Sequence, residues 1–286
     1  MIGTDHDALR RDEQGQLRRE LIGFAGIVER NVYLIRRFAW WEVAWFLYTV
    51  ANTLTIVFIA KGVEAGGGHI NVNETTIVLL IGAVIWSYLG LIFEVVTETV
   101  AWERWEGTIE YTFMAPISRV SHLLGMGTFA VIYGVLRTAL LFAVVAAFLD
   151  ISFDDPHFAS AALVLLVSSV SFIGIGMMTA VLPLISPEKG TQLGFIAQGL
   201  LLVVSGVYYP VTVLPQWMQW ISVVSPATYT LEGCRKAILD GAGPAQVWPD
   251  IWPLLVIGAL AVPLGLVVFR RGERYAKQHG RLKRSG

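Results

Sequence analysis

The sequence predicts an all-α polytopic membrane protein: six transmembrane helices, an amphipathic helix before the first, a cytoplasmic helix between the second and third, and an outer re-entrant helical segment. Three observations lead there. Hydrophobic residues make up 55% of the 286 residues and charged residues only 15%, against roughly 25% charged in a soluble domain. The apolar residues fall in six blocks, each near the roughly 20 residues a helix needs to cross a hydrocarbon core about 30 Å thick. The charges between those blocks segregate by side. The near-neutral balance (net −1) excludes a strongly basic nucleic-acid binder and a charged disordered chain. The single cysteine, Cys234, excludes an intramolecular disulfide framework and a cysteine-rich metal site.

The chain divides into a cytoplasmic N-terminal part (1–38), a transmembrane domain (39–270) and a short basic tail (271–286). Residues 1–38 are polar and charged, with no apolar run of a signal peptide, so the N-terminus is expected to stay in the cytoplasm. Within it, Leu17, Leu21, Phe24, Val28, Val32 and Ile35 recur every three or four residues, and Arg18, Arg19, Arg30, Arg36 and Arg37 occupy the remainder. That pattern predicts a helix over 16–37 lying in the membrane interface.

The six expected spans are 39–61, about 75–97, 121–149, 158–184, 191–212 and 251–270. With both ends inside, the inner segments 1–38, 98–120, 185–190 and 271–286 (with Arg270 at the boundary) carry seven, two, one and seven Lys or Arg, which is 17 of the chain's 21. The outer segments hold only Lys61, Arg235 and Lys236. This distribution fits the positive-inside rule for an even number of crossings. Trp40, Trp41 and Trp45 at the start of the first span, and Trp248 and Trp252 at the start of the last, suit the headgroup level.

Between the second and third spans, a helix is expected from about Trp102 to Met114, with Pro116 ending it. Trp105, Ile109 and Phe113 fall on one stripe at spacing four, and Glu103, Glu106 and Glu110 lie beside it. An apolar stripe with an acidic rim suits docking on a partner protein. On the outer side, Pro210, Pro215 and Pro226 rule out one long helix through 205–250, yet the segment stays apolar. Short re-entrant or interfacial helices fit, because non-helical backbone at membrane depth must be buried in protein.

Arg137 falls near the middle of the third span, where an arginine costs roughly 2.5–3.5 kcal/mol on insertion scales, so it is expected to face the bundle interior. Glu94 in the second span has the complementary sign, but at 1.5 Å per residue the two differ in depth by about 15 Å, which argues against a direct pair. Glu42 is expected to snorkel. The serines of the fourth span, Ser160, Ser168, Ser169 and Ser171, read as helix-packing residues. No phosphate-loop motif, no His-Glu-x-x-His and no Gly-x-Ser-x-Gly elbow occurs, and the five histidines are scattered. The expectation is therefore a chain that is not itself an enzyme and binds no metal or cofactor.

Two runs carry a family likeness. The run Glu106-Gly-Thr-Ile-Glu-Tyr-Thr-Phe-Met-Ala-Pro-Ile-Ser-Arg119 resembles the cytoplasmic loop of permeases of the type-two ABC exporter family. The run Ser205-Gly-Val-Tyr-Tyr-Pro210, with Leu214-Pro-Gln-Trp217 and Ser225-Pro-Ala-Thr-Tyr229 up to Arg235, is similar to that family's penultimate region. The likeness covers about residues 16–270. It implies a permease subunit for a hydrophobic or amphipathic, drug- or lipid-like substrate. ATP and magnesium would sit on a separate ABC ATPase, with two permease copies (or two paralogues) on two ATPase copies in the plasma membrane. Residues 102–115 would be the coupling helix, with Trp102, Glu103, Trp105, Glu106, Gly107, Thr108, Glu110 and Phe113 at the ATPase contact. Residues 16–37 would be the connecting helix. Residues 213–240 would close the outer end, with Tyr208, Tyr209, Pro210, Trp217 and Trp220 as the outer gate. The chain departs from its relatives where leucines usually follow the Gly-Thr pair: here stand Tyr111, Thr112 and Phe113. The rival reading from the residues alone is a stand-alone carrier or channel, although no halfway internal repeat is evident.

Overall fold

A computed structural model describes residues 6–66, 72–149 and 155–280. Eleven α-helices and one 3-10 turn account for the regular structure, with no strand among the described residues. Five helical stretches are long and apolar enough to cross a membrane: 39–63, 74–106, 119–149, 158–185 and 248–278. Most run past 30 residues, or about 45 Å at 1.5 Å per residue, so they project beyond a hydrocarbon core.

Helix α1 (His6–Arg37) breaks at Phe38, and α2 (Ala39–Ala65) follows at once. Helix α3 (Val72–Glu106) is the centre of the bundle, with Leu80, Tyr88, Leu89, Ile92, Val96 and Val100 fully buried. Around it stand α2, α5 (Arg119–Leu149), α6 (Phe158–Thr179) and α8 (Pro187–Val204), with α11 (Trp248–Gln278) packed on the far side of α6. Helices α6 and α11 pack most tightly of all. A Cβ added to Gly174 would come within 2.5 Å of the Ala261 backbone, and one on Gly265 within 2.6 Å of the Gly174 carbonyl. The Ser171 hydroxyl donates to the Leu254 carbonyl across this seam at 3.0 Å. Small residues thus let the two backbones touch. Ser169 meets the Tyr88 hydroxyl of α3 at 2.6 Å, while the Ser160 and Ser168 hydroxyls bond His157 and the Leu165 carbonyl at the start of and within α6.

The structure refines the sequence expectations at four elements. The stretch 158–184 is two helices, α6 and α7 (Val181–Ile185), because Pro183 has no N–H to give the carbonyl of residue 179. The stretch 191–212 is helical only to Val204: α8 has 18 residues, and its apolar part falls short of the five longer helices. There Gly206 turns left-handed (φ 68°) and leads through the 3-10 turn Val211–Val213 into α9 (Gln216–Ser222) and α10 (Pro226–Leu239). The helix expected over 102–114 is broken in two. Finally, α1 packs along α5, with Ile27 over Gly125, and against the link before α5, where a Cβ on Gly23 would strike the Ile117 side chain. Of the apolar stripe expected on α1, Leu17, Leu21 and Val32 are exposed, while Phe24, Val28 and Ile35 are half-buried.

Candidate functional site

The C-terminal end of α3 and the short helix α4 (Ile109–Met114) form an elbow. Its corner is Gly107, whose φ of 75° is a backbone conformation that side-chain-bearing residues rarely adopt. The turn separates Trp105 from Ile109 and Phe113, so the single stripe expected there does not exist. Trp105 is exposed, Ile109 is completely buried and Phe113 is half-buried. The face left outside consists of Trp102, Trp105, Glu106, Glu110, Tyr111 and Met114, with Gly107 and Thr108 half-buried between them.

Glu103 does not belong to that face. It is fully buried, and one of its oxygens accepts from Arg30 of α1 at 2.5 Å. His122 of α5, also buried, places Nε2 3.6 Å from the same oxygen. The acid read as part of a docking rim therefore ties α3 to α1 and α5 instead. A second tie lies at the start of α5. The Ser118 N–H donates to both oxygens of Glu20 at 2.9 and 3.0 Å, and the Ser121 hydroxyl donates to the same carboxylate. Those bonds hold the Glu20 carboxyl below its usual value of 4.5, the Ser121 bond contributing most. A third tie comes from Arg119. It donates to the last carbonyls of α4, Thr112 at 3.2 Å and Phe113 at 2.7 Å, and to Glu273 of α11 at 3.1–3.2 Å.

Sequence reasoning missed Glu20, Arg30, Arg119, His122 and Glu273. Two local signals existed: Ser118-x-x-Ser121 as a helix start, and the Glu273/Lys277 pair at spacing four, which bonds at 2.6 Å. The long-range partners carried no signal.

Inside the membrane-crossing part, Arg137 of α5 donates to the Thr49 hydroxyl of α2 at 3.1 Å. One turn earlier, the Tyr133 hydroxyl donates to Glu42 at 2.5 Å, so Glu42 is bonded within the bundle rather than snorkelling. Glu94 lies on α3 beside Gln198 of α8, whose amide reaches over Gly90. No ion pair joins Glu94 to Arg137 among the described residues.

Toward the other end, Arg235 of α10 donates to the Gly206 and Val207 carbonyls at 3.2 and 2.7 Å, holding the backbone just beyond α8. The Ser205 and Ser225 hydroxyls meet at 2.7 Å, and the Tyr209 hydroxyl donates to the Val203 carbonyl at 2.6 Å. Tyr208 is half-buried, while Pro210, Trp217 and Trp220 are exposed. Lys236 pairs with Asp250 of α11 at 2.7 Å.

An all-helical bundle with a bent, aromatic and acidic element at one end and two short helices at the other can now be set beside known proteins. The sequence model described as ABC-2 type transporter matches residues 29–239, well over half of the chain. The chain belongs to the ABC-2 type transporter family. Among curated proteins it is similar to the "Probable multidrug ABC transporter permease YbhR" of Escherichia coli, 25% identical over 177 residues. That match covers 60% of this chain and 46% of YbhR. It is also similar to the "Linearmycin resistance permease protein LnrN" of Bacillus subtilis, 30% identical over 112 residues, or 38% of this chain and 29% of LnrN. The matched part therefore spans less than half the length of either relative. As an ABC-2 member with five long apolar helices, the chain is a multi-pass membrane protein.

Proposed function

We propose that this ABC-2 chain is the permease subunit of an ATP-driven exporter that moves hydrophobic or amphipathic, drug- or lipid-like compounds out through the plasma membrane. The names of its relatives, a multidrug permease and a linearmycin resistance permease, support that substrate class. In this reading α8 is the sixth crossing, both termini are cytoplasmic, and α9 with α10 forms the outer re-entrant pair. Two copies of the permease, or this chain and a paralogue, stand on two ATPase subunits that hold the ATP and magnesium.

The observation that carries the reading is the elbow at Gly107. Trp102, Trp105, Tyr111 and Met114 are each more than 60% exposed on a cytoplasmic tip whose other side is anchored to three helices. Exposed apolar side chains with an acidic edge suit a protein partner, and anchoring lets force applied there reach the bundle. ATP-driven closure of the ATPase pair would push on α4 and switch the permease pair from inward- to outward-open.

The test is capture and activity of an ATPase subunit bearing a phosphate-loop motif, co-expressed with this chain. Wild type should co-purify with it. Glu106→Ala with Glu110→Ala should weaken capture on the order of tenfold, since rim charges contribute modestly each. Capture and stimulation of the ATPase unchanged in the double variant would refute the docking role. A wild-type chain that moves dye across liposomes with no ATPase present would favour a stand-alone carrier.

A further inference from the structure

Helix α4 is joined covalently to α3 through the Gly107 corner, a left-handed glycine with no side chain to stiffen it, and to α5 through residues 115–118, but neither link reaches α11. A stiffer route exists through side chains. The Phe113 ring at the end of α4 meets two cations: the Arg119 guanidinium carbon is 4.3 Å from the ring centre, and the Lys277 ammonium is 5.3 Å from it. Two cations on one ring repel each other unless an anion lies between them. Glu273 supplies it, bonding Arg119 through Nε at 3.1 Å and Lys277 through Nζ at 2.6 Å. The remaining Arg119 donors close on the α4 carbonyls of Thr112 and Phe113.

The surroundings make this knot rigid. The Arg119 and Glu273 side chains are only 14% and 9% exposed, so their attraction is little screened. Helix α11 is packed closely on α7 at this level: a Cβ on Gly272 would strike Val181 at 2.4 Å, and Ala276 is fully buried. An aliphatic side chain at position 113 would offer these cations no ring face.

We propose that Phe113, Arg119, Glu273 and Lys277 form the strut that carries movement of α4 to the cytoplasmic end of α11, making them positioning residues for coupling rather than part of the ATPase contact. The proposal rests on the reading of α4 as the docking element.

The test uses the full chain with its co-purified ATPase in liposomes, a fluorophore on Gln278→Cys, and ATP with vanadate as the probe. Wild type should give an ATP-dependent change in the label. Glu273→Gln should still capture the ATPase, yet lose the change on the order of tenfold. Phe113→Leu should lose it too, Phe113→Tyr should keep it, and Phe113→Leu with Glu273→Gln should be no worse than either alone, because one linkage breaks once. Should Glu273→Gln fail to fold, Lys277→Ala, at a half-exposed position, carries the same test with a smaller loss. A wild-type response in both Phe113→Leu and Glu273→Gln, or a captured ATPase with no response from wild type, overturns the strut. Failure of wild type to capture any ATPase instead overturns the docking reading on which it stands.

Discussion

Arg137 gives the clearest argument at the scale of one side chain. A guanidinium within a membrane-crossing helix is costly unless it meets polar groups, and here it meets the Thr49 hydroxyl, with the Tyr133–Glu42 bond one turn away. A purely structural role expects Arg137→Leu to melt below the wild-type temperature, because it removes the bond that ties α5 to Thr49 of α2. If Arg137 serves the pathway, Arg137→Leu should melt at or above the wild-type temperature in detergent and lose transport of the fluorescent dye. Wild-type transport by that variant would end the functional reading. Arg137 was legible in the sequence because a lone charge in an apolar run stands out. Glu103 was not: three residues before Glu106 it looked like one more rim acid, and its partner Arg30 lies 73 residues away in sequence. No periodicity reports such a contact.

Elements were legible where the apolar pattern was long and one-sided, and illegible where a single residue ended them. The long helices α2, α3, α5 and α11 follow from their composition. The early end of α8 depends on Gly206 and on the Ser205 hydroxyl turning back to the Leu201 carbonyl, while the division of α3 from α4 depends on Gly107 alone. For α1 the amphipathic pattern was read, but the pattern could not say which neighbour each face would take. The packing face is set by Glu20, Gly23, Ile27 and Asn31, a mixed set that hydropathy overlooks. The Glu20 bonds to Ser118 and Ser121 have a pH signature. The folded carboxyl titrates below its unfolded value of 4.5, so its contribution is present above that value and is lost as pH falls through the folded value. Amide exchange in α1 should therefore speed up as pH drops below about 4.5, after correction for intrinsic rates, and Glu20→Gln should flatten that dependence. Equal acid sensitivity in both proteins would show that other groups hold α1 to α5.

For the molecule as a whole, the net charge of −1 conceals a vertical asymmetry, with 17 of 21 cations assigned by the sequence to one side. The structure supplies a means to test that assignment. Cys234 is the only cysteine, fully buried with its sulfur against the Ala161 carbonyl, and burial together with the Asp250 charge raises its thiol pKa. A buried, protonated thiol reacts poorly, because the thiolate is the nucleophile. The native protein should accordingly be silent toward a membrane-impermeant maleimide, and new cysteines can be read without removing the old one. Gln246, exposed between α10 and α11, and Gln278, exposed at the end of α11, lie at opposite ends of that last long helix. With both termini inside, Gln246→Cys should label in intact cells, and Gln278→Cys only after permeabilisation. The reverse pattern would place the Gly107 elbow outside the cell, where no ATPase could reach it. Labelling of both in intact cells would mean that α11 does not cross.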